Sequence, residues 1–320
     1  MINLGKEIVS YLDYCKYQRK LNEKTIKAYT IDLSQFKLYM TGVANCMEKS
    51  NISGYIVNLH KRYSPNSVKR KLASTNAFFN YLCFDEVIIV NPIVKVNTKF
   101  QEPKVLPKTI PLHVIESILS TAYKNCDIAA TEFGLKTALR DIAIIELLFA
   151  TGMRVSELCS LNLDDISMED GSIRIMGKGA RERVIQVSNT EVIIALKHYM
   201  KAFLPVIYDT GSFFVNRLRK RLTEQSVRIM IKRLCCQACI KIHITPHMYR
   251  HSFASLLLEE DVDIRYIQRM LGHSSIQTTQ IYTHVTTEKQ RQILMAKHPR
   301  NKFSLCCDVS ADVPVDEEIS

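Results

Sequence analysis

Residues 139–154 read LRDIAIIELLFATGMR, and this strongly apolar stretch sets the fold of the second half of the chain. The length and composition of this stretch predict a helix that ends at the pair Thr151-Gly152, just before Met153 and Arg154. A new helix is predicted directly after Arg154, with Glu157 near its start. Because the break lies beside it, Arg154 is positioned by the backbone and is a candidate functional residue. The alternative is an arginine that only forms a salt bridge with Glu157 or Asp165.

A small sheet is predicted after these helices. Two short β-type runs, Ser172–Met176 and Arg183–Val187, are joined by Gly177-Lys178-Gly179-Ala180. This pattern indicates an antiparallel pair with Lys178 at the turn. Helices are predicted again from about Asn189 to the C-terminal segment TEKQRQILMAKH.

The first 90 residues are also predicted to be helical. One helix begins at Asn22 as its N-cap, and another begins at Ser64, with Pro65 in its first position. Basic residues lie near the starts of both helices and could bind phosphate groups. They are Lys24, Lys27, Lys69, Arg70 and Lys71. The alternative is a basic face that contacts only solvent.

The chain is therefore predicted to be mainly α, with two domains. Residues 1–90 form a helical domain, and residues 91–111, which contain four prolines, form a linker. Residues 112–300 form a mostly helical domain with a small antiparallel sheet. Residues 301–320 form an acidic tail that we expect to be disordered.

The charge of the chain favours a large anionic partner. Its 320 residues include 43 lysines and arginines against 32 aspartates and glutamates, a net charge of +11. Residues 1–100 and 101–300 are both basic, and only residues 301–320 are acidic. A basic surface spread over two domains suits a long polyanion better than a small ligand. The alternative is a basic protein whose charge only keeps it in solution.

Neither secretion nor a metal site is expected. The sequence has no apolar run of about 18 residues and no signal-peptide pattern. Its ten cysteines therefore indicate free thiols in a reducing cytoplasm. Cys236 and Cys239 form a CxxC pair near Cys235 and His243, but no second pair follows at the spacing of a structural zinc site. We interpret these cysteines as small apolar residues of a helix.

The motif TPHMYRHSFASLLLEE contains a candidate anion site. Thr245-Pro246 predicts a helix start, so His247 and Arg250 lie three residues apart on one face of the first turn. A helix N-terminus with an imidazole and a guanidinium favours a phosphate. A capping histidine beside a surface arginine would produce the same motif.

The segment LGHSSIQTTQIYTHV, residues 271–285, contains a lone tyrosine after a Gly-His turn. Tyr282 follows His273 by nine positions. It is either a packing tyrosine near a helix end or a nucleophile, since a phenol can form covalent intermediates. The remaining motifs favour the second interpretation.

Taken in order, these motifs match a known pattern. The sequence ATGMR…GKG…HMYRHSFA…LGHSS…Y resembles the tyrosine recombinases, the phage-integrase and Xer family of site-specific DNA recombinases. The resemblance covers nearly the whole chain and departs at none of the six family positions, which are Arg154, Lys178, His247, Arg250, His273 and Tyr282. It implies a C-shaped clamp around DNA, in which an N-terminal SAM-like core-binding domain precedes the catalytic domain.

The resemblance also implies a mechanism. Tyr282 is the nucleophile that forms a covalent 3′-phosphotyrosine, and His247 assists the removal of its proton. Arg154 and Arg250 bind the non-bridging oxygens of the scissile phosphate, for which planar guanidinium groups are well suited. Lys178 protonates the departing 5′ oxygen.

Supporting roles follow from the same resemblance. His273 hydrogen-bonds the scissile phosphate, Glu157 orients Arg154, and His251 supports the site through its neighbours. No cofactor is expected, because one phosphate ester is exchanged for another of similar energy. The sequence contains neither a P-loop nor an obvious cluster of acidic metal ligands, so neither ATP nor a metal is expected.

The implied partners are double-stranded DNA with paired inverted core sites and further copies of the chain. Four protomers would assemble on two duplexes through the C-terminal helix, whose Ile293, Leu294 and Met295 form an apolar patch. The alternative is that this helix packs on its own domain. Accessory DNA-bending or directionality proteins would be compatible with such an assembly, and a membrane is not expected. The expected location is the bacterial cytoplasm, at the nucleoid.

Two other functions fit part of the pattern. A type IB topoisomerase uses similar Arg, Lys, His and Tyr chemistry to relax supercoils, and a DNA-bound regulator could have lost catalysis. The separate N-terminal helical module and the HxxR motif favour the recombinase over the topoisomerase. The complete catalytic set argues against a protein that only binds DNA.

Overall fold

The structure is a computed structural model that describes residues 3–43, 45–98, 100, 108–177, 182–272 and 287–305. For residues 287–290 it describes the backbone alone. The chain divides into two compact units, Met1–Val105 and Leu106–Ser320, and both are mainly helical, as predicted. Within the described ranges, no helix has the length and apolar character needed to cross a membrane.

The first unit is an assembly of helices around an aromatic core. Its helices are α1 (Leu4–Asp13), α2 (Glu23–Tyr39), α3 (Lys49–Arg62) and α4 (Pro65–Phe84). Both predicted helix starts are confirmed. The side chain of Asn22 accepts a hydrogen bond of 2.8 Å from the N–H of Thr25, and Ser64 is the N-cap of α4. The core includes fully buried aromatic rings, namely Phe36, Phe78 and Phe79.

A buried ion pair joins α2 to α4 and corrects one prediction. Lys71, predicted to bind phosphate, is only 2% exposed, and its Nζ lies 2.9 Å from Oδ1 of the buried Asp32. Its ammonium also donates to Gln35 and lies 4.5 Å from the centre of the Tyr63 ring. Lys71 follows Val68 by three positions and therefore shares its buried face. It stabilises the unit, and it does not lie on the surface.

The two ends of the predicted linker, residues 91–111, belong to the units themselves. Pro92–Lys95 forms a 3-10 turn whose Ile93 is buried in the core of the first unit. Ile110 is buried in the core of the second unit, and its N–H donates to Oγ of Ser252 at 2.7 Å. Ile93 and Ile110 are therefore used in packing, one in each unit.

The second unit is built around the apolar helix that the sequence predicts. Its helices are α5 (Leu112–Asp127), α6 (Glu132–Thr151), α7 (Val155–Ser160), α8 (Thr190–Thr210), α9 (Glu224–Gln237), α10 (Pro246–Glu259), α11 (Ile264–Leu271) and α12 (Thr287–Lys297). Almost every residue of the C-terminal half of α6 is buried, and α6 packs against α5, α8 and α10. This helix therefore holds the start of α7 and the start of α10 in one framework.

A three-stranded antiparallel sheet follows α7. Its strands are β1 (Ile166–Ser167), β2 (Ser172–Met176) and β3 (Glu182–Gln186), in that order. The predicted pair of strands is confirmed, and β1 is an additional short strand. Ile175 pairs with Arg183, and Ile173 pairs with Ile185. The predicted turn with Lys178 lies outside the described residues.

The C-terminal helix α12 packs on its own unit. Leu294 is buried in the core of the second unit, and Ile293 packs against the same core. Met295 is exposed. In the single chain, Ile293 and Leu294 therefore pack on their own domain, which was the alternative interpretation.

Residues 301–305 are also part of the second unit, although the sequence predicts a tail from residue 301. The side chain of Asn301 donates to the carbonyl oxygen of Met295 at 2.8 Å. The N–H of Leu305 donates to Oε2 of Glu191 at 3.1 Å. The ordered domain thus extends at least to residue 305, and the rest of the predicted tail lies outside the described part of the chain.

His298, directly after α12, predicts a pH dependence of stability. Its ring is buried between Phe149 and Phe253, and its Nδ1 accepts the N–H of Arg300 at 2.9 Å. Burial, aided by the charge of Arg300, lowers the pKa of His298 to about 4. An unfolded imidazole titrates near pH 6.5. Between these values the unfolded chain binds the extra proton, so the free energy of unfolding should fall by roughly 3 kcal/mol as the pH drops through this window.

This prediction can be checked with His298→Gln, which keeps a hydrogen-bond acceptor but removes the titrating ring. Urea unfolding followed by circular dichroism at several pH values should show a weaker loss of stability in this variant than in the parent. His243→Gln, at an exposed histidine, is the control and should follow the parent. Equal pH profiles for the parent and His298→Gln would contradict the prediction.

Candidate active site

Arg154 and Arg250 belong to one cluster in the second unit. Nη1 of Arg250 donates to the carbonyl oxygen of Gly152 at 2.9 Å, and Nη2 donates to that of Leu271 at 2.6 Å. Gly152 ends α6 two residues before Arg154, so this contact connects the two arginines. Burial and the positive charge of Arg154 lower the pKa of Arg250 to about 10. Its guanidinium is still charged at neutral pH.

Gly152 is required at this junction by its conformation and by its surroundings. Its φ of +58° lies in the left-handed region, which glycine adopts without strain. A Cβ atom there would lie 2.7 Å from Cδ1 of Phe253 and 2.9 Å from Cδ2 of Leu271. The end of α6 therefore packs closely against α10 and α11, and this packing fixes the backbone that leads into Arg154.

Glu157 orients Arg154 through two hydrogen bonds. Its carboxylate accepts the backbone N–H and the Nη1 of Arg154, both at 2.8 Å. Burial alone would raise the pKa of Glu157, but the hydrogen bonds from Arg183 and Arg154 outweigh it and lower that pKa. The salt bridge with Glu157, which was the alternative interpretation of Arg154, is therefore present. It leaves the Arg154 side chain 37% exposed, with room for a further anionic partner.

Arg183, which the sequence analysis does not identify, is part of the same cluster. Its Nη1 and Nη2 donate to the two carboxylate oxygens of Glu157 at 3.0 and 2.8 Å. Its Nε donates to the carbonyl oxygen of Met270 at 3.0 Å. The signal in the sequence is strand alternation, because Arg183 shares the inner face of β3 with the buried Ile185. A charged residue on the apolar face of a strand requires a buried partner.

The two histidines of α10 lie beside the arginine cluster. His247 and His251 follow the helix start at Pro246 and are exposed. Partial desolvation and the nearby charges of His247 and Arg250 lower the pKa of His251. His251 is therefore mainly neutral at neutral pH and adds little positive charge to the site.

Lys178, His273 and Tyr282 lie outside the described residues. The last described residues before His273 nevertheless contact the arginine cluster. Gly272, with a φ of +65°, ends α11 directly before it. Arg250 and Arg183 bind the two carbonyl groups that precede this glycine.

Most of the predicted phosphate contacts are at the surface of the first unit. Lys24 and Lys27 lie in the first turns of α2, Lys69 and Arg70 lie in α4, and all four are exposed. Arg70 also pairs with Asp32. A basic face that the sequence analysis does not identify lies on α9 in the second unit, where the exposed basic residues are Arg228, Lys232 and Arg233.

Comparison with known proteins identifies the family of the chain. The family model described as phage integrase matches residues 110–289, and that of the phage integrase N-terminal SAM-like domain matches residues 8–84. The chain belongs to the phage integrase family. Its arginine cluster lies within the first of these matched regions.

Relatives of this member of the phage integrase family are named tyrosine recombinases, which are enzymes that cleave and rejoin DNA strands. A tyrosine recombinase of Agathobacter rectalis is 50% identical over 304 residues, covering 95% of this chain and 99% of the relative. Tyrosine recombinase XerD of Listeria monocytogenes is 36% identical over 303 residues, covering 92% and 98%. The crystal structure of XerH recombinase in a post-cleavage complex with palindromic difH DNA has a TM-score of 0.68 at 22% identity, covering 90% and 81%. The last similarity supports the fold.

Proposed function

We propose that the chain is a site-specific DNA recombinase that cleaves and rejoins strands through a covalent phosphotyrosine at Tyr282. One observation carries the proposal. Arg154 and Arg183 both pair with the carboxylate of Glu157, and Arg250 donates to two uncharged carbonyl groups, so these four groups have a net charge of +2 at neutral pH. Such a cluster suits a phosphodiester, whose negative charge increases in the transition state.

The proposed reaction is an exchange of esters. The phenolic oxygen of Tyr282 attacks the phosphorus atom and loses its proton with the help of His247. The bond from phosphorus to the 5′ oxygen breaks, and Lys178 gives that oxygen a proton. Arg154, Arg250 and His273 stabilise the charge on the non-bridging oxygens. A 5′ hydroxyl of another strand then reverses the steps and joins the strands.

The proposed partner is double-stranded DNA with paired inverted core sites. Lys24, Lys27, Lys69 and Arg70 of the first unit, with the basic face of α9, would contact its phosphates. We expect the two domains to form a clamp around the duplex, in the bacterial cytoplasm at the nucleoid. Because phosphate contacts release counterions, binding should weaken steeply with salt.

We further propose that four protomers assemble on two duplexes through α12. When identical chains exchange a terminal helix, the helix makes with the neighbour the same contacts that it makes within one chain. Burial of Leu294 in its own unit is therefore compatible with assembly, because the same pocket exists in every copy. Accessory DNA-bending or directionality proteins would act on this assembly.

A covalent adduct assay tests the proposed function. Purified protein, without added metal or ATP, is mixed with nicked fragments tiled from the DNA that flanks its gene. The adduct is detected as a product that resists SDS. We expect an adduct on the true site with the parent and none with Tyr282→Phe, because phenylalanine lacks the nucleophilic oxygen.

The same experiment separates the alternatives. Tight binding on the true site without an adduct would favour a protein that only binds DNA. Relaxation of a plasmid that lacks a target site would favour a type IB topoisomerase. An adduct that persists in Tyr282→Phe would place the nucleophile at another residue.

A further inference from the structure

Arg183 occupies a central position in the arginine cluster. Each of its three guanidinium nitrogens already donates a hydrogen bond, two to Glu157 and one to Met270. Its side chain is 13% exposed, whereas that of Arg154 is 37% exposed. Arg154 can therefore reach an additional anion, whereas all three guanidinium nitrogens of Arg183 are engaged by the protein.

The first consequence of this position concerns Arg154. Each oxygen of the Glu157 carboxylate accepts one hydrogen bond from the guanidinium of Arg183 and one from Arg154. With Arg183 present, one negative charge is shared by two guanidiniums, so Arg154 keeps part of its positive charge for a phosphate. Without Arg183, the full negative charge of Glu157 would neutralise Arg154, and the two side chains could rotate together away from their present position.

The second consequence concerns the segment before His273. Nε of Arg183 holds the carbonyl oxygen of Met270 in the last turn of α11. The three atoms nearest to a Cβ placed at Gly272 all belong to the Arg183 side chain, at 3.1 to 3.3 Å. Arg183 therefore contacts the backbone directly before His273 as well as the carboxylate that holds Arg154.

A third feature is the place of Arg183 in the sheet. It pairs with Ile175 in the β2–β3 ladder and lies five residues after Lys178 in sequence. The strand that follows Lys178 in the sequence, β3, is thus attached by one side chain to α7 and to α11. Three separate parts of the second unit meet at this guanidinium.

We propose that Arg183 is a positioning residue for strand cleavage, which holds Arg154 through Glu157 and the end of α11 through Met270. The proposal rests on the proposed recombinase function and adds a residue that acts on the reaction without touching DNA. Loss of such an indirect contact typically lowers activity by roughly 10- to 100-fold. Since Arg183 does not contact DNA, its loss should leave the affinity for DNA close to that of the parent.

The test measures two quantities for each variant, the single-turnover rate of adduct formation on the nicked site and the Kd for the same DNA. We expect Arg183→Gln to lower the rate by roughly 10- to 100-fold with little change in Kd. Arg183→Lys, which keeps the charge but can reach fewer partners, should be intermediate. Arg174→Gln is the matched control, because Arg174 lies on the neighbouring strand in exposed salt bridges. It should cleave at the rate of the parent.

A double-mutant cycle with Glu157→Gln shows whether Arg183 acts through the carboxylate. If it does, Arg183→Gln should slow cleavage much less in the Glu157→Gln background than in the parent. Thermal melting confirms that each protein is folded at the assay temperature, and Arg183→Lys replaces Arg183→Gln in the cycle if the glutamine variant is unfolded.

The outcomes separate this proposal from the proposed function. Cleavage by Arg183→Gln at the rate of the parent would overturn the positioning role. Equal losses in both backgrounds would overturn the proposed action through Glu157, because the two residues would then act independently. A parent protein that forms no adduct on any fragment would instead overturn the proposed function.

Discussion

Arg250→Lys is expected to lower the rate of adduct formation by roughly 100- to 1,000-fold, the cost of losing one pre-positioned group that stabilises transition-state charge. The Arg250 guanidinium holds two carbonyl oxygens, those of Gly152 and Leu271, with two of its nitrogens. In the proposed mechanism its remaining N–H groups bind the phosphate. A lysine ammonium is a compact point charge and cannot serve both carbonyls and a phosphate in this geometry.

The measurement is single-turnover cleavage of the nicked site, with thermal melting as a check on folding. Some loss of stability is expected, of about 1–3 kcal/mol, because a buried carbonyl group would lose its donor. Arg174→Lys is the control, since Arg174 lies on β2 in salt bridges with Asp165 and Glu182 and has no role in the proposed mechanism. A folded Arg250→Lys that cleaves as fast as the parent would show that this residue does not bind the reacting phosphate.

The helices of the fold are predictable because local signals determine them. The N-caps at Asn22 and Ser64 and the proline at the start of α10 are all used as expected. The long apolar run of α6 could only be satisfied by burial in a core. The two main strands also lie within one residue of their predicted bounds.

The partners of charged side chains are not predictable in the same way, because they depend on contacts between distant segments. Lys71 is indistinguishable in sequence from its basic neighbours, yet it pairs with Asp32, which lies 39 positions away. Arg183 and Glu157 are 26 positions apart, and Arg183 and Met270 are 87 apart. Helix periodicity for Lys71 and strand alternation for Arg183 indicate the buried face, but neither indicates the partner.

Arg300→Met is expected to lower the free energy of unfolding of the second unit by about 3–5 kcal/mol, the usual cost of breaking a buried ion pair. Arg300 and Glu146 are both fully buried, and their side chains are joined at 2.7 and 2.8 Å. Arg300 also pairs with Glu191 and donates to the carbonyl oxygen of Phe303. Burial alone would lower the pKa of Arg300, but the bonds to the two glutamates outweigh it and raise that pKa.

The size of the expected loss comes from the glutamate left behind. In Arg300→Met the carboxylate of Glu146 would keep, among the residues that the structure describes, only the hydroxyl of Tyr123 as a hydrogen-bond partner, at 2.9 Å. Adding Glu146→Gln removes the charge and keeps an acceptor for that hydroxyl, so the double variant should be more stable than Arg300→Met alone. Urea unfolding followed by circular dichroism measures both differences. Lys302→Met, at an exposed pair with Glu260, is the control and should cost less than about 1 kcal/mol.

The same measurement bears on how α12 is held. Arg300 joins the segment after α12 to α6 and α8, the helices that carry Glu146 and Glu191. An exchange of α12 between protomers that carried this segment along would place Arg300 against the same two glutamates of a neighbour. Arg300→Met should therefore weaken assembly on DNA as well as the folded chain. A loss no larger than that of Lys302→Met would mean that packing of Leu294, rather than this ion pair, holds the C-terminal segment.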